Sequence, residues 1–301
     1  MANFSFDFIS ARDRRRLRTA VFVPEKPRSK TCVLLQGQAE FIEKYLEVVV
    51  ELNARGITVA TLDWRGQGGS ARSLTEPLKT HIGDFSEYDD DLLSFMDKVV
   101  GKLTSKPPLV LAHSMGGHIA LRALHDRPGL FGAAVLAAPM LGILTRGYPP
   151  PLVRGVTTLY AGAGKAKEFA WGMAERDPFK VDFARQLCTS DAARFARTQQ
   201  ILREHPELRL AGPTWGWIEA AYRSMKRQAA PGYAEAIHTP ILMFGAGQDR
   251  IVDLAAIRRF APRLPNASYV EIAESEHEIL MEKDSIRAQF WAEFDAFAAR
   301  D

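Results

Sequence analysis

The sequence predicts an α/β fold with a mostly parallel central sheet flanked by helices and a helical lid inserted before the strand that carries a candidate aspartate. Three observations point there. Short β-branched runs alternate with segments of helical spacing, which is the rhythm of a parallel sheet. An apolar run at 109–112 ends in His113-Ser114-Met115-Gly116 and gives way to a helix-forming segment, so a serine sits at a strand-to-helix corner. Finally, Ser114, Asp249 and His277 each follow a predicted strand, and open α/β sheets gather their ligands at the carboxyl ends of strands.

Each element has its own reason. Alternating apolar and polar residues at 4–8 and 17–23 flank Arg12, Arg14, Arg15, Arg16 and Arg18, which reads as a hairpin with a solvated basic turn. Residues 31–36 form an apolar run ending at Gly37. Residues 41–55 carry Phe41, Tyr45, Val48, Val49 and Leu52 at helical spacing and stop at Gly56. The next strand, 58–62, leads into the glycine-rich loop Asp63-Trp64-Arg65-Gly66-Gln67-Gly68-Gly69-Ser70. A helix over 84–100 opens with Asp84 and Glu87 in capping-box spacing. Its Asp89, Asp90 and Asp91 point about 100° apart on a helix and so cannot converge on one metal ion; no metal and no cofactor is implied.

After a linker at 102–108 come the Ser114 strand, a helix over 115–125 and a buried strand at 133–137. Gly147-Tyr148-Pro149-Pro150-Pro151 then breaks the rhythm, and 152–236 shows helical segments without a clear strand. Strands return at 241–244 and 268–272, with helices over 254–263 and 285–300. The expected division is a core of 1–140 and 237–301 with a helical cap at 141–236.

Bulk composition fits an ordinary globular protein, either one large domain with an insertion or two domains: 301 residues, 47% hydrophobic and 25% charged. With 39 basic against 36 acidic residues the charge is too balanced to argue for nucleic acid. Cys32 and Cys188 lack any metal-like or redox-like spacing and read as free buried thiols in a reducing compartment. No signal peptide or spanning segment is expected, which points to the cytoplasm.

The candidate chemistry is acyl transfer. His277 would take the proton of Ser114 as it attacks a carbonyl, and Asp249 would orient the imidazole. Ala112 and Gly116 supply the small residues that a strained corner requires. Asp253 also follows the strand at 241–244 but reads better as a helix N-cap. Among the histidines, His238 precedes its strand, His113 packs in the turn, His118 and His125 fall on the following helix, and His205 lies in the lid. His81 is read as a loop residue, and Glu276 and Glu278 as solvated or salt-bridged. The oxyanion donors expected are the backbone N–H groups of Met115 and Gln38, with Gly37 allowing close approach.

These residues resemble the α/β-hydrolase superfamily, and within it the monoacylglycerol lipase, bacterial lysophospholipase and serine-aminopeptidase-like group. The resemblance rests on Gly37 and Glu40 followed by Lys44-Tyr45, the Asp63–Gly68 loop, Ala112-His113-Ser114-Met115-Gly116-Gly117, Gly247-Gln248-Asp249-Arg250-Ile251-Val252-Asp253 and His277-Glu278-Ile279-Leu280. Gly212-Pro213-Thr214-Trp215-Gly216-Trp217 resembles the lysophospholipase branch. Two departures are Gln36 where the family often has histidine and Ala112 where it has glycine. The resemblance implies the α/β-hydrolase fold, a Ser114–Asp249–His277 triad, Gln38 and Met115 as oxyanion donors, and hydrolysis of lipid-like esters such as lysophospholipids or monoacylglycerols. The alternatives are an amidase or aminopeptidase on the same triad and a weakly catalytic binding protein. A carboxylate nucleophile, as in dehalogenases and epoxide hydrolases, is disfavoured by the serine at 114. In the lid, Trp171, Phe179, Phe183, Phe195, Trp215, Trp217 and Tyr222 offer aromatic wall material, most of it for packing. Arg146, Arg154, Lys165 and Lys167 could give transient contact with an anionic membrane surface, but scattered surface charge is the better reading of them.

Overall fold

The computed structural model describes residues 6–28, 30–145, 147–173 and 181–299. Phe4, Arg146, Phe179 and Arg300, which the sequence reading placed in the hairpin, the lid and the last helix, lie outside the described residues. The strands are β1 (Phe6–Ser10), β2 (Arg16–Phe22), β3 (Thr31–Leu35), β4 (Thr58–Leu62), β5 (Lys79–Thr80), β6 (Leu109–His113), β7 (Ala133–Ala137), β8 (Gly212–Pro213), β9 (Ile241–Ala246) and β10 (Ala267–Ile272). Eight of them form one sheet in the order β1-β2-β4-β3-β6-β7-β9-β10. β1 and β2 make the expected hairpin, with Phe8 opposite Arg18, and β2 runs antiparallel to β4. From β4 to β10 every neighbouring pair is parallel.

Parallel strands covered on both faces read as continuous apolar runs. Cys32, Val33, Leu34 and Leu35 of β3 are all fully buried. Val33 and Leu35 face one core, and Cys32 and Leu34 face the other, as the two-residue period of a strand requires. The first core is closed by α2 (Ser86–Lys98), α3 (Met115–Asp126) and α7 (Leu254–Phe260), and the second by α1 (Leu46–Ala54) and α8 (Asp284–Ala298).

Several local expectations are refined. The helix expected over 41–55 starts as a 3-10 turn at Ile42–Tyr45 and becomes regular only at Leu46, because the Ile42 N–H donates to Asp63 Oδ1 at 3.0 Å. At the start of α2, Glu87 Oε1 accepts from Gly83 and Asp84 N–H (2.7 and 3.3 Å), which realises the capping spacing. Asp89, Asp90 and Asp91 meet three different arginines, Arg122, Arg12 and Arg65, as their divergence on the helix demands.

Between β7 and β9 lie α4 (Pro150–Tyr160), α5 (Ala192–Glu204) and α6 (Trp215–Ala229). This stretch does contain a strand, contrary to expectation: β8 pairs in parallel with β5 over two residues, too short a ladder to leave a side-chain pattern. α6 packs into the first core through Trp217, Ala220, Ala221 and Met225, and Trp217 Nε1 donates to Tyr88 OH at 3.1 Å. Cys32 is fully buried, as expected, and Cys188 is partly buried; both are free. Among the described residues, no helix is long and apolar enough to cross a membrane.

Candidate active site

Ser114 sits between β6 and α3 with φ 51° and ψ −114°. A side chain at positive φ costs roughly 1–2 kcal/mol, and the surroundings hold it there. Its N–H donates to Ala137 O, and its carbonyl accepts from His118 and Met140 N–H, all at 3.0 Å. Gly116 explains why the corner needs a small residue. A Cβ there would collide with the carbonyl oxygens of Leu35 and Gln36, the latter at 2.6 Å. α3 therefore starts pressed against the end of β3. Ala112, fully buried, takes the place of the usual first glycine.

The structure brings the three expected residues together. His277 Nε2 lies 3.0 Å from Ser114 Oγ, and His277 Nδ1 lies 2.7 Å from Asp249 Oδ2. Asp249 follows β9, His277 follows β10, and the side chains of both are nearly inaccessible to solvent. Asp249 Oδ1 accepts the N–H groups of Ile251 and Val252, each at 2.8 Å. Burial alone would raise this carboxyl, but His277 and the two amides outweigh it and hold it below its ordinary value. An ionised carboxylate with one oxygen fixed by the backbone leaves the other to orient an imidazole.

The loop after β3 carries the other half of the site. Met115 N–H and Gln38 N–H have no acceptor among the described residues. Ala39 is also left-handed, at φ 60°, which turns this loop sharply.

Other residues sort as follows. Asp253 caps α7, its Oδ1 accepting from Ala255 N–H at 2.9 Å. His81 Nδ1 lies 2.8 Å from Thr214 Oγ1 and fastens a loop to the start of α6. His118 is buried between Met140 O and Ser224 Oγ. Glu276 and Glu278 are salt-bridged to Arg250 and Lys44. A surface cavity of about 630 Å³ opens beside Pro107, Pro108 and Arg127, at the amino end of β6 and so away from the triad.

His113 does more than pack in the turn. Its Nδ1 faces Glu40 Oε2 at 3.1 Å and its Nε2 faces the His277 carbonyl at 3.2 Å. Both partners are acceptors, an arrangement that favours the doubly protonated ring. Burial opposes the charge, but Glu40 outweighs it and raises the imidazole above its usual value. Glu40 is in turn held well below the carboxylate range: burial pushes it up, and Lys44 and His113 more than reverse that. Tyr45 OH and Lys44 Nζ donate to Glu40 at 2.7 and 2.9 Å, and Lys44 continues to Glu278 at 2.6 Å. The spacing of Glu40, Lys44 and Tyr45 signalled a motif. Its link to the His277 loop was hidden by sequence distance.

A family model described as serine aminopeptidase, S33, matches residues 26–284. The probable lysophospholipase L2 of Haemophilus influenzae is 30% identical over 264 residues, covering 88% of this chain and 82% of that protein. Lysophospholipase L2 of Escherichia coli K12 is 30% identical over 266 residues, covering 86% and 77% respectively. Among solved structures, a soluble variant of monoglyceride lipase from Saccharomyces cerevisiae aligns over 100% of this chain and 97% of its own, with TM-score 0.75 and 15% identity. The monoacylglycerol lipase of Paleococcus ferrophilus aligns over 95% and 99%, with TM-score 0.73 and 20% identity.

Proposed function

We propose that this chain, which belongs to the serine aminopeptidase, S33, family and is a lipase-type hydrolase of the α/β-hydrolase fold, cleaves lipid-like carboxylic esters through an acyl-enzyme on Ser114. The observation that carries this reading is the continuous Ser114–His277–Asp249 chain, with contacts of 3.0 and 2.7 Å, on a strained and rigidly held serine. His277 Nε2 takes the hydroxyl proton as Ser114 Oγ bonds to the carbonyl carbon. The resulting oxyanion lies against the N–H groups of Met115 and Gln38. Collapse breaks the ester C–O bond, and the leaving alcohol carries away the proton held by His277. A water then repeats the sequence on the acyl-enzyme, which returns the serine hydroxyl and releases the acid.

Lysophospholipids and monoacylglycerols are the substrate classes favoured, on the names of the relatives. We assign 1–140 and 237–301 to the catalytic core and 141–236 to a cap over the carboxyl ends of the strands. On the cap, Tyr148, Leu152, Leu159 and Trp171 are each more than half exposed, with Arg154, Lys165 and Lys167 nearby in sequence. Exposed apolar side chains beside basic ones suit transient contact with an anionic lipid surface.

Fluorophosphonate labelling with peptide mapping tests the nucleophile: an adduct on Ser114 is expected, and a folded protein without one refutes the mechanism. Nitrophenyl esters of graded chain length run beside aminoacyl anilides test the reaction class. Esters are expected to turn over faster, and the reverse order would favour the amidase reading.

A further inference from the structure

The loop that presents Gln38 is shaped by a side chain from another part of the chain. We infer that Gln67, in the loop after β4, is a positioning residue that sets the oxyanion hole by holding residues 37–40 in the one conformation that leaves the Gln38 N–H free. The inference rests on the proposed serine-hydrolase reading.

The geometry is specific. Gln67 is fully buried, and its amide engages the backbone of three residues in the loop. Nε2 donates to Gly37 O at 2.8 Å and to Glu40 O at 3.3 Å. Oε1 accepts the N–H of Ala39 at 3.3 Å. The Gly37 N–H is separately occupied by Glu40 Oε2, so of the amides at 37, 38 and 39 only that of Gln38 is left without an acceptor among the described residues. Ala39 is the left-handed residue of the loop, and an L side chain at positive φ relaxes unless something holds it. The bond from Ala39 N–H to Gln67 is the one that pins it. The Gln38 side chain is tied as well, its Nε2 donating to Thr80 Oγ1 at 3.0 Å, so neither end of that residue is free to turn the N–H away.

Only an amide satisfies this arrangement. Two carbonyls require two donated protons and one N–H requires an acceptor, all within a side chain's width. A carboxylate at this position keeps the acceptor and turns both donor contacts into repulsions. A methionine keeps the volume and loses all three bonds.

The test compares Q67E and Q67M with the parent, with S114A beside them, on a medium-chain nitrophenyl ester and with a trifluoromethyl ketone as a mimic of the tetrahedral adduct. An oxyanion donor acts in the transition state, and losing one typically costs about 10²–10³ in kcat. Both Gln67 variants are expected to lose about 10–100-fold in kcat, with KM within about 3-fold and with ketone affinity falling in parallel. A role confined to stability would lower the melting temperature and leave kcat of the folded fraction and ketone affinity in place. That result overturns the inference, as does a kcat within about 3-fold of the parent in either folded variant. Should one variant fail to fold, the other decides. Turnover surviving in S114A would instead refute the serine-hydrolase reading itself. Loss in S114A with silent Gln67 variants would refute only the role of Gln67.

Discussion

Left-handed backbone at a residue with a side chain is strain stored in the folded state, and Ser114 and Ala39 both carry it on the two sides of the proposed oxyanion site. At 114 the strain aims a hydroxyl. Ser114→Gly is therefore expected to abolish turnover and to raise the melting temperature by about 1–3 °C, since glycine adopts this conformation without penalty. A calorimetric scan showing a lower melting temperature would mean that the serine's contacts, not its backbone, dominate. Residues at this scale were legible when their signal was local. Ser114, Asp249 and His277 each follow a strand, and Gly116 betrays a close approach. Gln67, His113 and Glu40 were not legible in these roles, because each acts through a partner 27 or more residues away, a backbone group for Gln67 and His113 and the His113 ring for Glu40.

Among the elements, α1, α5 and α8 are tied by one carboxylate. Glu47 accepts from Arg194 at 2.6 and 3.0 Å, from Arg197, and from Arg287 at 3.1 Å. Burial raises this carboxyl, but the arginines outweigh burial and bring it from 4.5 down to about 2. Because folding lowers the value, the tie is at full strength above pH about 4.5 and is lost as the pH falls toward about 2. Glu47→Gln should reproduce at neutral pH the loosening expected in acid, read as faster limited proteolysis within 192–204. Solvent access to Glu47 keeps the loss modest, about 1 kcal/mol or less. On α4, replacing Leu152 and Leu159 by aspartate should weaken partition into anionic phospholipid vesicles by about tenfold or more, since each apolar side chain seated in lipid contributes about 1.5–3 kcal/mol. Unchanged partition in a flotation assay would remove the cap from membrane contact. The capping spacing of Asp84 and Glu87 made the start of α2 readable, and the strand-to-helix corner at Ser114 announced α3. β8 was not, because two residues carry no period, and the first turn of the 41–55 helix was not, because Asp63 lies outside any local window.

Across the whole molecule, two cores on opposite faces of one sheet unite segments from both ends of the chain. α6 belongs to the first of them even though it lies between β7 and β9 in sequence. Trp217→Ala should thus cost about 3–5 kcal/mol, with the transitions read by circular dichroism and by hydrogen exchange in α3 shifting together. A shift confined to 192–229 would show that α6 unfolds separately. The sheet was legible because consecutive parallel strands announce themselves as apolar runs, while the membership of α6 depended on a packing partner, Tyr88, remote in sequence. Ser114, Gln38, Asp249 and His277 all hang from strand ends, and none comes from 141–236. On the proposed assignment of 141–236 to a cap, the roof over the reaction can diverge while its floor stands still. A lineage of such chains can acquire new clients by substitution above the sheet and inherit its hydrolytic apparatus unaltered.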